Sequence, residues 1–157
     1  MNFESCMNAL CAGHTLVDIA RNRYFLANNK TIGTVVVFRS SDRFTSRPAK
    51  LAVNDLSSMT FMVERDCGEG VPVPVPEIVR DLLARKIIHL ATGHEFVVDG
   101  KTVVDQTFLM FGEGSGNDVE HILCTSLTEL GFDGDPLFYS PACMQVKDLF
   151  KAQYTVL

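Results

Sequence analysis

The feature that most constrains this chain is a motif that it carries twice. Residues 53–63 read VNDLSSMTFMV, and residues 146–156 read VKDLFKAQYTV. Each copy has Val-x-Asp-Leu, a short polar turn and an aromatic residue in a β-prone run, which predicts a short helix leading into a strand. The Asp is predicted to accept hydrogen bonds at the turn, and the Leu to fill the core. Because Pro48 and Pro141 also precede the two copies at equal distance, an internal repeat is the first hypothesis.

A pair of predicted hairpins supports the repeat. Residues 24–27 and 30–32 flank Asn28-Asn29, and residues 95–98 and 101–103 flank Asp99-Gly100. Asn, Asp and Gly tolerate the positive φ of a tight loop, so both stretches predict the same hairpin. The two hairpins are separated by fewer residues than the two copies of the closing motif. We therefore expect about 22 extra residues in the second copy, between Phe111 and Pro141.

Hydrophobic periodicity predicts the same element order in both copies. Apolar residues three and four apart predict a helix over 3–12, and a similar stripe predicts one over 76–85. β-prone runs after each helix predict three strands, and the repeated motif closes each copy. The predicted fold class is α+β, with two tandem copies of a helix, an antiparallel β-meander, a short helix and a strand, packed as a pseudo-dimer.

The predicted domains are residues 1–66, a linker over 67–76, and residues 77–157. In the linker, prolines at every second position cannot lie within a sheet or a helix, and they favour an extended connector. In the second domain, a helical spacing of apolar residues predicts an inserted helix at about 118–130. Those residues are Val119, Ile122, Leu123, Leu127 and Leu130.

Composition and charge exclude several classes of protein. The 157 residues are 46% hydrophobic and 21% charged, which is typical of a globular protein. With no apolar run long enough for a membrane span and no signal-peptide pattern at the N-terminus, we expect a soluble cytoplasmic protein. Five cysteines without paired spacing fit a reducing compartment. Residues 1–66 hold eight Lys or Arg against six Asp or Glu, and residues 67–157 hold six against thirteen, which disfavours nucleic-acid binding.

A group of arginines in the first copy is the best candidate site. They begin one predicted strand, end its hairpin partner and continue in the next loop, so we expect them to meet at one sheet edge. The planar fork of arginine pairs with phosphate oxygens. The predicted ligand-binding residues are Arg21, Arg23, Tyr24, Arg39, Arg43 and Arg47. A solvated basic edge facing the acidic second half, or a subunit contact, is the alternative interpretation.

Other patterns for chemistry are weak. The four histidines lack metal-ligand spacing, and the cysteines form no Cys-x-x-Cys. No Gly-x-Ser-x-Gly elbow is present. Gly112–Gly116 lacks the Lys-Ser/Thr ending of a phosphate loop, and Glu113 and Asp118 would repel an anion, so a flexible connector is favoured. We expect no enzymatic activity, no metal and no cofactor.

The opening and closing segments resemble a family of small phage proteins, the Thoeris anti-defence sponges of the second type. That family opens with a Met-x-Phe-Glu-x-Ala-Leu-like helix ended by a glycine, which residues 1–10 and Gly13 resemble. It closes with a Tyr-x-Pro-Ser-like segment and an Asp-Leu-Leu turn, which are similar to residues 139–141 and Asp148-Leu149. The family's tryptophan after the first strand is absent, and Tyr24 is the aromatic residue of that segment.

The resemblance implies a non-enzymatic α+β module that self-assembles. In characterised members it sequesters a cyclic nucleotide immune signal made by host TIR enzymes. On that basis we expect a homo-oligomeric phage protein that captures a small cyclic nucleotide in the host cytoplasm. The alternative is a phage accessory or inhibitory protein that binds a host defence protein and no small ligand.

Overall fold

A computed structural model of the chain describes residues 1–42, 45–65, 69–113, 120–126 and 140–157. The chain divides into two compact units. Unit 1 comprises Met1–Pro76 and Cys143–Phe150, and unit 2 comprises Glu77–Ala142 and Lys151–Leu157. Each unit combines helix with a five-stranded antiparallel sheet, which confirms the predicted α+β class. In the described ranges, no helix has the length and apolar character needed to cross a membrane.

Unit 1 is a five-stranded sheet packed under a helix. In chain order its elements are α1 (Phe3–Cys11), β1 (Thr15–Val17), β2 (Arg23–Asn29), β3 (Gly33–Arg39), β4 (Ser46–Pro48), α2 (Asp55–Ser58) and β5 (Met62–Glu64). The strand order is β4-β3-β2-β1-β5. The predicted apolar stripe of α1 is buried, and it packs against β1 and β2, which contribute the buried Leu16 and Leu26. The side chain of Asn2 caps α1 by accepting the N–H of Ser5 at 2.8 Å.

Unit 2 has the same strand order. Its elements are α3 (Glu77–Leu83), β6 (Ile88–Val98), β7 (Lys101–Glu113), β8 (Glu120–Ser126), β9 (Ser140–Pro141) and β10 (Tyr154–Val156). The sheet order is β10-β6-β7-β8-β9. If the strands of each unit are numbered in chain order, both sheets read fifth, first, second, third, fourth from one edge to the other. The stripe of α3 buries Ile78, Val79 and Leu82, as the spacing predicts.

A strand takes the place of the predicted inserted helix. Residues 120–126 form β8, which pairs along its whole length with β7. Its adjacent Ile122 and Leu123 are both buried, a pattern that fits a helical stripe or a strand equally well. Pairing with the long β7 favours the strand, because a helix here would leave the N–H and carbonyl groups along that edge of β7 without partners. Residues 118, 119 and 127–130 lie outside the described residues.

The two predicted hairpins occupy different places in their sheets. The turn that joins β2 to β3, the second and third strands of unit 1, lies at residues 30–32. Asn28 and Asn29, where the turn was predicted, instead pair with Thr34 and Gly33 in the ladder. The turn at Asp99-Gly100 joins β6 to β7, the first and second strands of unit 2. Sequence similarity between the hairpins therefore does not match their positions in the strand order.

The registers also relocate the extra residues of unit 2. Leu16 and Ile88 are equivalent, because each pairs with the same position of the fifth strand of its sheet. Leu26 and Phe111 are equivalent in the same way, through their partners in the third strand. The chain from Ile88 to Phe111 is longer than the chain from Leu16 to Leu26, and the added length lies in the long β6–β7 hairpin. The expectation that all of the extra residues follow Phe111 is therefore corrected.

The two copies of the repeated motif pair with each other in unit 1. The second copy forms α4 (Val146–Leu149), and Ala52 and Gln145 make an antiparallel bridge. Val53 N–H donates to the Met144 carbonyl at 3.0 Å, and Val146 N–H donates to the Leu51 carbonyl at 2.8 Å. These bonds join equivalent positions of the two copies. Residues 143–150 thus belong to unit 1, which differs from the predicted boundary at residue 77.

The Val-Pro segment lies along unit 1 where the structure describes it. Val71 N–H donates to the Leu26 carbonyl and Val73 N–H to the Cys11 carbonyl, both at 2.9 Å. The backbones of Gly13 and Gly70 touch, and a Cβ added to Gly70 would lie 2.5 Å from the Gly13 carbonyl oxygen. Glycine is required for this close approach. The predicted connector is therefore docked on unit 1, rather than free, from Gly70 to Val73.

Candidate ligand-binding site

Strand register divides the predicted arginine cluster between two faces of the unit 1 sheet. Arg23 pairs with Arg39, whereas Phe38 pairs with both Tyr24 and Arg47. Directly paired residues share a face and consecutive residues alternate. Arg23 and Arg39 therefore lie on one face, and Tyr24 and Arg47 lie on the other. The expectation that the arginines meet at one edge is corrected, and Arg43 lies outside the described residues.

Carboxylates neutralise the two arginines of the first face. Arg23 Nε lies 2.9 Å from Glu64 Oε2. Arg39 forms an ion pair with Glu69, and its guanidinium lies over the ring of Phe25, 5.1 Å from the centroid. Like charges directly opposite on neighbouring strands repel unless they are compensated. Arg23 and Arg39 therefore hold β5 and the segment at Glu69 in place within unit 1.

Arg21 lies in the turn between β1 and β2. Its backbone has φ 68°, and its N–H donates to the Asp18 carbonyl at 3.0 Å. The exposed side chain borders a groove of about 180 Å³ beside β5, together with Arg23 and Met62. Arg21 is therefore separate from the face that carries Tyr24.

A cleft on the second face brings together Tyr24 and Arg47. It encloses about 260 Å³ and is lined by Tyr24, Phe38, Arg47, Pro48, Ala49 and Lys50. The guanidinium of Arg47 lies 4.9 Å from the centroid of the Phe38 ring, and Tyr24 meets that ring edge to face at 5.5 Å. Among the described residues no carboxylate forms an ion pair with Arg47 or Lys50. The cleft thus combines two cations with an aromatic wall.

Tyr24 is fixed in the wall of this cleft by a buried carboxylate. Its hydroxyl donates to Asp18 Oδ2 at 3.1 Å, and Asp18 is 7% exposed. Asp18 also accepts the backbone N–H groups of Ala20 and Asn22, each at 2.9 Å. Burial, followed by the charge and hydrogen bond of Asp18, raises the pKa of Tyr24 to about 12. The phenol is therefore neutral at physiological pH and its ring is held in one position.

The cations and rings that line the cleft are suited to ligand binding. Its lining residues include no serine, cysteine, histidine or carboxylate that could act as a nucleophile or general base. Burial raises the pKa of the Cys6 and Cys11 thiols to about 11, so neither is a thiolate at neutral pH. Within the described ranges, no group of three or more His, Cys, Asp or Glu is arranged to hold a metal ion.

Four of the lining residues, Phe38, Pro48, Ala49 and Lys50, were not predicted from the sequence. Phe38 shares a face with Tyr24 through strand alternation, which the pattern of β3 could have indicated. Lys50 follows β4 in a segment without periodicity, so no local signal marks it. Comparison of the chain with protein-family models, curated proteins and solved structures finds no match. The functional interpretation therefore depends on the residues of the cleft.

Proposed function

We propose that this protein binds a small nucleotide without turnover in the cleft between Tyr24 and Arg47, and thereby sequesters a cyclic nucleotide immune signal on behalf of a phage. One observation carries the nucleotide-binding part of the proposal, and the resemblance of the opening and closing segments to the phage sponges supports the rest. Arg47 and Lys50 are cations without an ion-pair partner among the described residues, and they lie beside the rings of Tyr24 and Phe38.

Each part of a nucleotide has a counterpart in this cleft. A phosphate is suited to the fork of Arg47 and the ammonium of Lys50. A base can stack on the guanidinium plane of Arg47, whose other side lies over Phe38. The cleft volume of about 260 Å³ falls below the roughly 300–1,000 Å³ of typical ligand pockets. It therefore suits a base and one phosphate, and a second copy of the chain would enclose the rest of a cyclic ligand.

Calorimetry with cyclic ADP-ribose isomers and cyclic dinucleotides tests the proposal. We expect one of these compounds to bind and to be recovered chemically intact after heat denaturation of the complex. Arg47→Ala should weaken binding by about 1.5–3 kcal/mol, because it removes a charge-assisted hydrogen bond to phosphate. Arg80→Ala, at an exposed position of α3, is the matched control and should bind normally. Absence of binding across the whole panel contradicts the proposal.

A second candidate function is protein binding without a small ligand. It is favoured by two apolar side chains that unit 1 leaves in solvent, Ile19 at 86% and Met62 at 59% exposure. Exposed apolar surface marks a docking site where it borders a groove, as Met62 does beside β5. A pull-down from infected host cells that recovers no stoichiometric partner would count against it.

Duplication of a smaller module is part of the proposal. We propose that the units are diverged tandem copies packed as a pseudo-dimer, and the shared strand order supports this. The helix ends add support, since Gly13 N–H donates to the Leu10 carbonyl as Arg85 N–H donates to the Leu82 carbonyl, both at 3.0 Å. Both Gly13 and Arg85 have positive φ. A crystal structure in which the two sheets fail to superpose strand for strand would refute the duplication.

A further inference from the structure

The outer edge of the unit 1 sheet carries an unused set of backbone groups. β5 is the terminal strand of that sheet. The backbone N–H of Asp18 donates to the Asn22 carbonyl at 3.0 Å, so the backbone groups of Asp18 point towards β2. Backbone groups of an antiparallel strand point to alternate sides from one residue to the next, so those of Leu16 also point towards β2, and those of its neighbours in β1 point towards β5. The residue opposite Leu16 on β5 is Val63. Its N–H and carbonyl therefore point away from the sheet.

No backbone bond in the described part of the chain uses those groups of Val63. A strand edge with an outward N–H and carbonyl is a template for one more strand. The side chains of an added strand would alternate between the two sides of the sheet. Each side of β5 has a groove to receive them.

The two grooves differ in volume, and each is bordered by at least one cation. On the α1 side, a groove of about 530 Å³ has a floor of small residues such as Ala9 and Ala12, with Arg65 and His14 at its border. On the other side, the groove of about 180 Å³ is bordered by Arg21, Arg23 and the exposed Met62. Glu64, the carboxylate of β5, is engaged by Arg23 at 2.9 Å. Among the described residues, Arg21 and Arg65 form no ion pair.

We propose that the outer edge of β5 binds an extended acidic segment of another protein as a sixth strand of the unit 1 sheet. The proposal gives the second candidate function a location and does not depend on the nucleotide cleft. Backbone hydrogen bonds at Val63 supply affinity, and the grooves on either side select the side chains of the incoming strand. Acidic residues on that strand meet Arg21 on one side and Arg65 on the other.

The same charges disfavour a second copy of this chain at the edge. Antiparallel pairing of two β5 strands about Val63 would bring Arg21 and Arg65 of both copies to one junction. Like charges on adjacent strands destabilise a sheet, and charged residues at an edge commonly prevent pairing between copies. An acidic partner strand converts this repulsion into attraction, so charge complementarity selects it.

The test uses the full chain and two fluorescein-labelled peptides, one of alternating Val and Glu and the other of alternating Val and Lys. We expect the acidic peptide to bind by fluorescence anisotropy and to protect the Val63 amide from hydrogen exchange, whereas the basic peptide does neither. Val63→Pro removes the outward donor and leaves the bonds to β1 intact, because proline is tolerated at an outward-facing edge position. It should lower the affinity for the acidic peptide by about tenfold or more.

A charge-reversal variant, Arg21→Glu with Arg65→Glu, keeps the proposal testable if circular dichroism shows that Val63→Pro is unfolded. It should reverse the preference towards the basic peptide, while the control Arg80→Glu should retain the preference of the wild type. Equal binding of both peptides, or binding that leaves the Val63 amide unprotected, overturns the proposal. A dimer of the wild type that Val63→Pro dissociates, measured by light scattering, also overturns it. Nucleotide binding should persist in Val63→Pro, so the two proposals fail separately.

Discussion

At the scale of single residues, Tyr24 links the stability of unit 1 to the proposed site. Its hydroxyl donates to the buried Asp18, and its ring forms a wall of the cleft. Tyr24→Phe removes that hydrogen bond and should lower the free energy of unfolding by about 1 kcal/mol at pH 7. Because the pKa of Tyr24 is raised to about 12 from its ordinary value of 10.0, folding favours its protonated form.

The pH dependence has a definite sign. A tyrosine whose pKa is higher in the folded state contributes stability that is complete below pH 10 and is lost as pH rises to about 12. The wild type should therefore lose stability more steeply than Tyr24→Phe across that range, in urea denaturation at a series of pH values. Tyr154, whose pKa is also raised to about 12, contributes equally to both proteins. Parallel curves for the two proteins would contradict the assignment.

The aspartates of the repeated motif have a local role at the same scale, as predicted. Asp55 Oδ2 accepts the N–H of Ala52 at 2.9 Å, and Asp148 Oδ2 accepts the N–H of Gln145 at 3.2 Å. Each carboxylate thus holds the backbone three residues before it. The leucines that follow the aspartates, at positions 56 and 149, are 0% and 2% exposed. The motif therefore encodes a turn and a core contact.

At the scale of elements, pairing between the motif copies is tested at Val146. This residue begins α4, where proline is compatible with a helix, but its N–H donates to the Leu51 carbonyl at 2.8 Å. Val146→Pro should therefore disrupt the pairing rather than the helix. Val146→Ala is the matched control, since it loses much of the same buried side chain and keeps the N–H. We expect Val146→Pro to be less stable than Val146→Ala by about 1–3 kcal/mol in urea denaturation, and equal stabilities would contradict the pairing.

Local pattern was sufficient for elements whose faces are fixed by periodicity. The helices α1 and α3 and the turn at Asp99-Gly100 form as predicted, whereas the turn predicted at Asn28-Asn29 lies at residues 30–32. Local pattern failed at β8, where Ile122 and Leu123 fit a helical stripe and pairing with the preceding strand β7 makes the segment a strand. The ion pair between Arg39 and Glu69 joins residues far apart in the chain, so it could not be predicted from spacing.

The candidate site shows the same division between local and long-range information. Residue type identified Tyr24 and Arg47, because an aromatic ring and a guanidinium suit a nucleotide. Strand parity alone could have separated Arg23 from Tyr24, since adjacent residues of one strand face opposite sides. The proximity of Arg47 to Phe38 needed the register of β4, a three-residue strand in a stretch without a periodic signal.

At the scale of the whole molecule, the path of the chain predicts how it unfolds. Residues 143–150 belong to unit 1, yet they lie between β9 and β10, which belong to unit 2. Unfolding of unit 2 would leave residues 143–150 joined to the rest of unit 1 through a long unstructured loop, and unfolding of unit 1 would turn them into a loop within unit 2, so each event carries an entropic cost for the other unit. We therefore expect the two units to unfold in one cooperative transition, rather than in two separate transitions.

Native-state hydrogen exchange distinguishes one transition from two. The amides of Leu16 in β1 and Ile122 in β8, both in fully buried residues, should exchange with the same opening free energy at low denaturant. Leu149→Ala places the perturbation in unit 1, removes a buried side chain and should cost about 2–5 kcal/mol. If the units are coupled, this substitution lowers the opening free energy at Ile122 as much as at Leu16. A fall confined to Leu16 would mean that unit 2 retains its structure when unit 1 opens, and the interleaved path would then carry no cooperativity.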